Sequence, residues 1–126
     1  MYDRCITRGV TGSFFPSIYG NGSEFVQQKG LVAIRYEMIY ETRIVPTDNN
    51  PHPGPEYRTY MGDARGHREG TTLVVDTTNF PGGKMAGGGA PDSDQLHLIE
   101  RFTRRDENTI EYEVTISDPK TFTAPK

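Results

Sequence analysis

The sequence predicts an all-β protein, and three observations carry that expectation. Eight short segments enriched in β-branched and aromatic residues follow one another at hairpin distances, turn-forming Gly, Pro, Asn and Asp residues separate them, and no segment sustains the apolar period of an amphipathic helix. Such a meander must hide its edge strands. Its short connections suit an antiparallel sheet that closes into a small lipocalin-like barrel of the calycin type, or a half-open version of one, with a two-sheet sandwich as the alternative. The 126 residues read as one domain, 1–126, without internal repeats. A chain of this length buries roughly two-thirds of its unfolded surface.

Residues 1–22 hold Gly9, Gly12, Pro16 and Gly20 too closely spaced for a long regular element, so they read as an irregular lead-in packing Phe14, Phe15 and Ile18 against the rest. Glu24 to Gln28 is a short strand, Lys29-Gly30 a turn, and Leu31 to Tyr40 a longer strand. Its alternation places Val32, Ile34, Tyr36, Met38 and Tyr40 on the core face. Arg35 and Glu37 lie on the other face, where a cross-strand ion pair is expected. Glu41 to Pro46 is a further strand, closed by its proline. The run TDNNPHPGP is loop, and Glu56 to Met61 resumes an extended pattern.

The stretch Met61 to Phe80 (MGDARGHREGTTLVVDTTNF) is the densest in signals. Ala64 to Arg68 should fold back on the β-branched run Thr72 to Thr78, with Gly70 supplying the positive φ that a tight hairpin turn demands. Gly62 and Gly66 point to a bulge or a close backbone approach that aims Asp63 and Arg65. Residues 81–94 are Gly-rich and read as a surface loop or, functionally, a lid. Gln95 to Thr103 and Thr109 to Ser117 form a second hairpin. Leu96, Leu98, Glu100 and Phe102 share one face of its first strand, and Ile110, Tyr112, Val114 and Ile116 one face of its second. Residues 118–126, with Pro119 and Pro125, read as a tail.

Composition excludes several classes of function. A hydrophobic fraction of 33% is low for a folded domain, but 7 Tyr and 6 Phe supply a thin aromatic core. A net charge of -3 with mixed signs offers no basic footprint for nucleic acid. The single cysteine, Cys5, cannot form an internal disulfide or a multi-cysteine zinc site, and is read as an inert structural thiol. No apolar run approaches the ~18 residues of a membrane span. Met1 leads straight into MYDRCITRG without an apolar signal segment, so a cytoplasmic location is expected for the chain as written. His52, His67 and His97 lack metal-ligand spacing, and neither a Gly-x-Ser-x-Gly nor a Walker-type motif is present. No metal or other cofactor is expected.

The chemistry then rests on a few side chains. Glu100, in line with Leu96, Leu98 and Phe102, is either a desolvated general acid or base, or else pairs with an arginine or sits at the barrel rim. His52, stiffened between Pro51 and Pro53, suits proton transfer near neutral pH, and Asp63 is a second candidate base. Arg43, Arg65 and Arg101 could clamp a carboxylate or phosphate, or else serve as partners of acids. Tyr36, Tyr60 and Tyr112 could present hydroxyls to a cavity or be ordinary core rings.

The runs GDARG and EGTTLVVDTTNF, with RYEMIYETRIVP and PHPGP before them and LHLIERFT and TISDP after them, resemble a family of uncharacterised bacterial proteins. Its typical motif reads Gly-Asp-Ser-Arg-Gly, any residue, Trp-Glu-Gly-Asp-Thr-Leu-Val-Val, then Thr-Thr-Asn-Phe. The resemblance spans nearly the whole chain and matches the family at Glu37, Arg43, His52, Asp63, Arg65, Glu69, Asn79, Glu100 and Arg101. Ala64, Arg68 and Thr71 stand where Ser, Trp and Asp are usual. The resemblance implies that this chain is similar to the C-terminal part of longer, usually exported proteins, and it implies no activity.

Three functions follow as expectations. The first is a small-molecule-binding barrel whose mouth is lined by Tyr36, Tyr60, Arg65 and Glu100, with Arg43 and Arg101 as further ligand contacts. The second is a cofactor-free acid-base enzyme of isomerase, lyase or hydratase type, with Glu100 or Asp63 as base, His52 as partner and Arg65 steadying negative charge. The third is a structural or assembly domain whose strand faces make a homodimer.

Overall fold

The structure, a computed structural model, describes residues 9–14, 22–83 and 93–126. Expectations for Cys5, Phe15 and Ile18, and for most of the Gly-rich stretch 81–94, lie outside the described residues. The chain is all-β, built from two antiparallel sheets and one short helix among the described residues. Helix α1 (Gly9–Phe14) is followed by β1 (Ser23–Gln28), β2 (Leu31–Tyr36) and β3 (Thr42–Pro46), which form a three-stranded sheet in that order. The strands β4 (Asp63–Glu69), β5 (Thr72–Thr78), β6 (His97–Arg104) and β7 (Ile110–Ser117) form a four-stranded sheet, again in chain order.

Alternation in sequence becomes a two-sided sheet. Val32, Ile34 and Tyr36 of β2 and Val45 of β3 pack against Ala64, Leu73, Val75 and Phe102 of the other sheet, so the two sheets share one core. A second cluster, Val10, Phe80, Leu96 and Leu98, extends it. Helix α1 serves both clusters. Its Val10 lies in the second, while the Phe14 ring stacks on Tyr112 at 4.8 Å and meets Tyr36 edge-on at 5.3 Å. The lead-in thus contributes Phe14 to the core as expected, although from a helical turn.

Hairpin geometry follows the turn residues. The register Glu69↔Thr72 leaves Gly70 and Thr71 as a two-residue turn, and Gly70 has φ +60°, as the first central position of such a turn requires. The β4–β5 ladder runs without interruption, so no bulge forms at Gly66. The close approach does form. A Cβ on Gly66 would lie 2.8 Å from Val45 Cγ1, which is how β4 comes to lie directly beside β3. On the opposite side, β1 and β7 are not paired.

Three expectations are corrected. The lipocalin-like barrel does not close among the described residues: the ladders stop at β3 and start again at β4, so the strands form two sheets. The long strand ends at Tyr36. Met38–Tyr40 form a tight turn in which Ile39 and Tyr40 adopt φ of 66° and 54°, because β3 must reverse to pair with β2. Tyr40 is therefore exposed, and the core face of β2 is Val32, Ile34 and Tyr36 alone. Glu56 to Met61 forms turns and irregular chain instead of a strand. The tail is held at its end, where Ile116 and Lys126 exchange backbone hydrogen bonds of 2.8 and 2.9 Å.

Candidate functional site

Three polar groupings arise from this frame. The first is inside. Arg43 on β3 and Glu100 on β6 face each other across the core, with Nη2 2.6 Å from Oε2, and the two side chains are 2% and 0% exposed. Arg43 Nη2 also donates to Thr77 Oγ1, and Tyr112 donates its hydroxyl to Glu100 Oε1 at 3.0 Å. Arg43 Nε and Nη1 have no partner, and the Tyr36 hydroxyl sits beside the guanidinium outside hydrogen-bonding geometry. Burial opposes the charge on Arg43, but the facing Glu100 outweighs it and raises the guanidinium's proton affinity. Burial pushes the Tyr36 hydroxyl up to about 12, with Arg43 pulling it down and Glu100 adding to the rise. Burial, then the charge of Glu100, raises Tyr112 as well.

The second grouping lies on the outer face of the four-stranded sheet. Asp63 and Arg65 alternate outward from Ala64 and Gly66 on β4. Arg65 grips Asp63 through two hydrogen bonds, Nε to Oδ2 at 2.8 Å and Nη2 to Oδ1 at 3.1 Å. The loop before β4 folds over this face and brings His52 Nδ1 to 2.7 Å from Asp63 Oδ2. The other ring nitrogen of His52 lies 3.3 Å from Asp76 Oδ1, which His97 Nε2 also meets at 2.8 Å. Asn79 fixes the loop: its Nδ2 donates to the carbonyls of Pro53, Gly54 and Tyr57. A continuous chain Arg65, Asp63, His52, Asp76, His97 results, half-buried under the loop. It can hold a proton between two carboxylates and pass it along.

The third feature is a half-open cleft of about 670 Å3 bordered by both sheets. Phe25 of β1, Leu73 of β5, Phe102 of β6 and Ile110 of β7 supply its apolar surface. Its rim comes from Arg68 near the end of β4, Arg104 at the end of β6, and the β4–β5 and β6–β7 turns, including Asn108.

The residues expected from the sequence divide among these places. Glu100, Arg43 and Tyr36 meet in the interior, with Glu100 taking the arginine-paired role. Asp63, His52 and Arg65 meet outside. Arg101 is also on the outer face and binds Glu69, which His67 contacts at 3.0 Å. Tyr60 is 64% exposed. The expected mouth of Tyr36, Tyr60, Arg65 and Glu100 therefore does not assemble, since two are in the core, one is outside the sheet and one lies in a loop. Arg35 does form its cross-strand pair, with Glu24 at 3.9 Å.

Asp76, His97 and the cleft residues were not singled out as site residues. Asp76 carried a signal: once Gly70-Thr71 is taken as the turn, the hairpin register places it opposite Arg65. Nothing local marks Arg68 or Arg104, which gain meaning only from the cleft. Comparison with family models, with curated proteins and with solved structures finds no match to this chain.

Proposed function

We propose that the protein is a small-molecule-binding β module whose ligand occupies the cleft between the two sheets. One observation carries this. The sheets lie close along β3 and β4, and beside β1 and the β6–β7 turn a cleft is lined by Phe25, Leu73, Phe102 and Ile110 beneath a polar rim, with Ile110 exposed. Its volume falls within the range of roughly 300–1,000 Å3 usual for ligand sites, and an apolar floor with a few polar groups is their usual lining. Thermal-shift screening of the whole chain against a metabolite library tests the proposal, because a ligand selective for the folded state raises the melting temperature. Ile110→Trp, at an already exposed position, should fill the cleft and remove those shifts without lowering the basal melting temperature. Shifts that survive Ile110→Trp would place the ligand elsewhere.

A second function, cofactor-free acid-base catalysis, draws support from a separate observation. Asp63 holds one nitrogen of His52 and is itself gripped by Arg65, an arrangement that orients an imidazole for proton transfer. Isomerisation, elimination and hydration all move a proton from or to a substrate, so a deuterium-exchange screen of weakly acidic metabolites addresses it directly. His52→Ala should abolish any enzyme-dependent exchange. Exchange no faster than in buffer would dismiss it.

A further inference from the structure

We infer that the cleft takes an anionic amphiphile, a carboxylate carried on an apolar chain or ring; this deepens the binding function proposed above and rests on it. The charge pattern around the cleft selects this class. Six of the eight described arginines have a carboxylate partner: Arg35 with Glu24, Arg43 with Glu100, Arg58 with Asp94, Arg65 with Asp63, Arg101 with Glu69 and Arg105 with Glu111. Arg68 and Arg104 have none among the described residues, and both line the cleft.

Both guanidiniums are nevertheless held in place. Arg68 Nη2 donates to the Gln27 side-chain oxygen, and Arg104 Nε donates to the backbone carbonyl of Asp106 at 3.1 Å. Neutral acceptors thus position two cations at the rim that no carboxylate of the described residues pairs with, which is what a bidentate anion site needs. Two acids, Asp106 and Glu107, also border the cleft. Asp106 is engaged within its own turn, where its Oδ1 accepts the Asn108 amide at 2.8 Å, an interaction that holds its carboxyl below the usual range. Asp106 stays ionised but is turned to its own backbone, and Glu107 is the second opposing charge at the rim. Below the rim, Leu73 and Phe102 are nearly buried while Ile110 is 55% exposed, so a ligand's apolar body would cover surface that the fold leaves wet. A charged head at the rim and an apolar body against the floor is the complement of this surface.

The test is calorimetric titration of the full chain with dodecanoate, dodecanol and dodecylamine, using the unaltered protein, Arg68→Gln, Arg104→Gln and Ile110→Trp. Dodecanoate should bind about tenfold or more tightly than dodecanol, an advantage that added salt reduces. Each arginine substitution should remove most of that advantage, leave dodecanol unchanged and, being exposed near a strand end, leave the melting temperature unchanged. Equal binding of dodecanoate and dodecanol, both lost in Ile110→Trp, would overturn the anionic preference and keep the cleft as the site. Preference for dodecylamine would overturn it in favour of Asp106 and Glu107. No binding of any of the three overturns it also, and only the absence of library ligands sensitive to Ile110→Trp would bring down the cleft itself.

Discussion

Removing Arg43 should destabilise the protein more than removing Arg43 and Glu100 together. Arg43 and Glu100 are sealed between the sheets, so Arg43→Met leaves a buried carboxylate whose one remaining donor is the Tyr112 hydroxyl. Breaking a buried pair from one side costs about 3–5 kcal/mol, because an uncompensated charge stays in a poorly polarisable surrounding. At a few degrees per kcal/mol for a chain of this size, the melting temperature should fall by about 10–20 °C. The double variant Arg43→Met/Glu100→Leu carries no buried charge and fills similar volume. Its cost should be about 1–2 kcal/mol, mainly from the Thr77 and Tyr112 hydroxyls left without partners. Chemical denaturation of the two single variants and the double closes the cycle. A loss below about 1 kcal/mol in Arg43→Met, or a double variant as unstable as the sum of the singles, would refute the reasoning.

Three further outcomes are expected. Gly66→Ala places a methyl 2.8 Å from Val45 Cγ1 and should cost about 1–3 kcal/mol in denaturant melts, with Val45→Ala in the same chain recovering part of it. Asn79→Ala removes the amide that holds the carbonyls of Pro53, Gly54 and Tyr57, so amide exchange should quicken in that loop while β5 and β6 stay protected. The Tyr36 hydroxyl is raised to about 12 in the folded state, so folding favours its protonated form. Stability should therefore hold below pH 10 and decline as the pH climbs from 10 towards 12, by about 2–3 kcal/mol from this group. Tyr36→Phe should flatten that part of the alkaline melting curve.

Local rules reached a long way in the β4–β5 hairpin. Gly70 marked the turn, β-branched residues marked β5, and Gly62 and Gly66 marked close approaches; Gly62 has φ +68° and faces the Thr78 carbonyl oxygen. These features depend on a few residues adjacent in sequence, where turn chemistry and steric exclusion act directly. The β2 boundary was less legible. Alternation continues through Tyr40, and only the need of β3 to return along β2 ends the strand at Tyr36. The same distinction applies to the site residues. Alternation put Glu100 on an apolar face, yet the identity of its partner depended on which face of the other sheet lay opposite.

What the sequence determined by itself is the all-β class, the turn of the β4–β5 hairpin and the inward or outward sense of residues within the strands it bounded correctly. Each follows from the two-residue period of a strand and the conformational demands of a tight turn. Tertiary structure decided the rest. The division into two sheets, the loop that carries His52 onto Asp63, and the burial of Arg43 against Glu100 all join segments distant in the chain. So does the cleft, where the ends of β4 and β6 bring Arg68 and Arg104 to one rim beside β1. Their charges are ordinary in the sequence, and only the packing of the sheets leaves both of them without an ion-pair partner among the described residues.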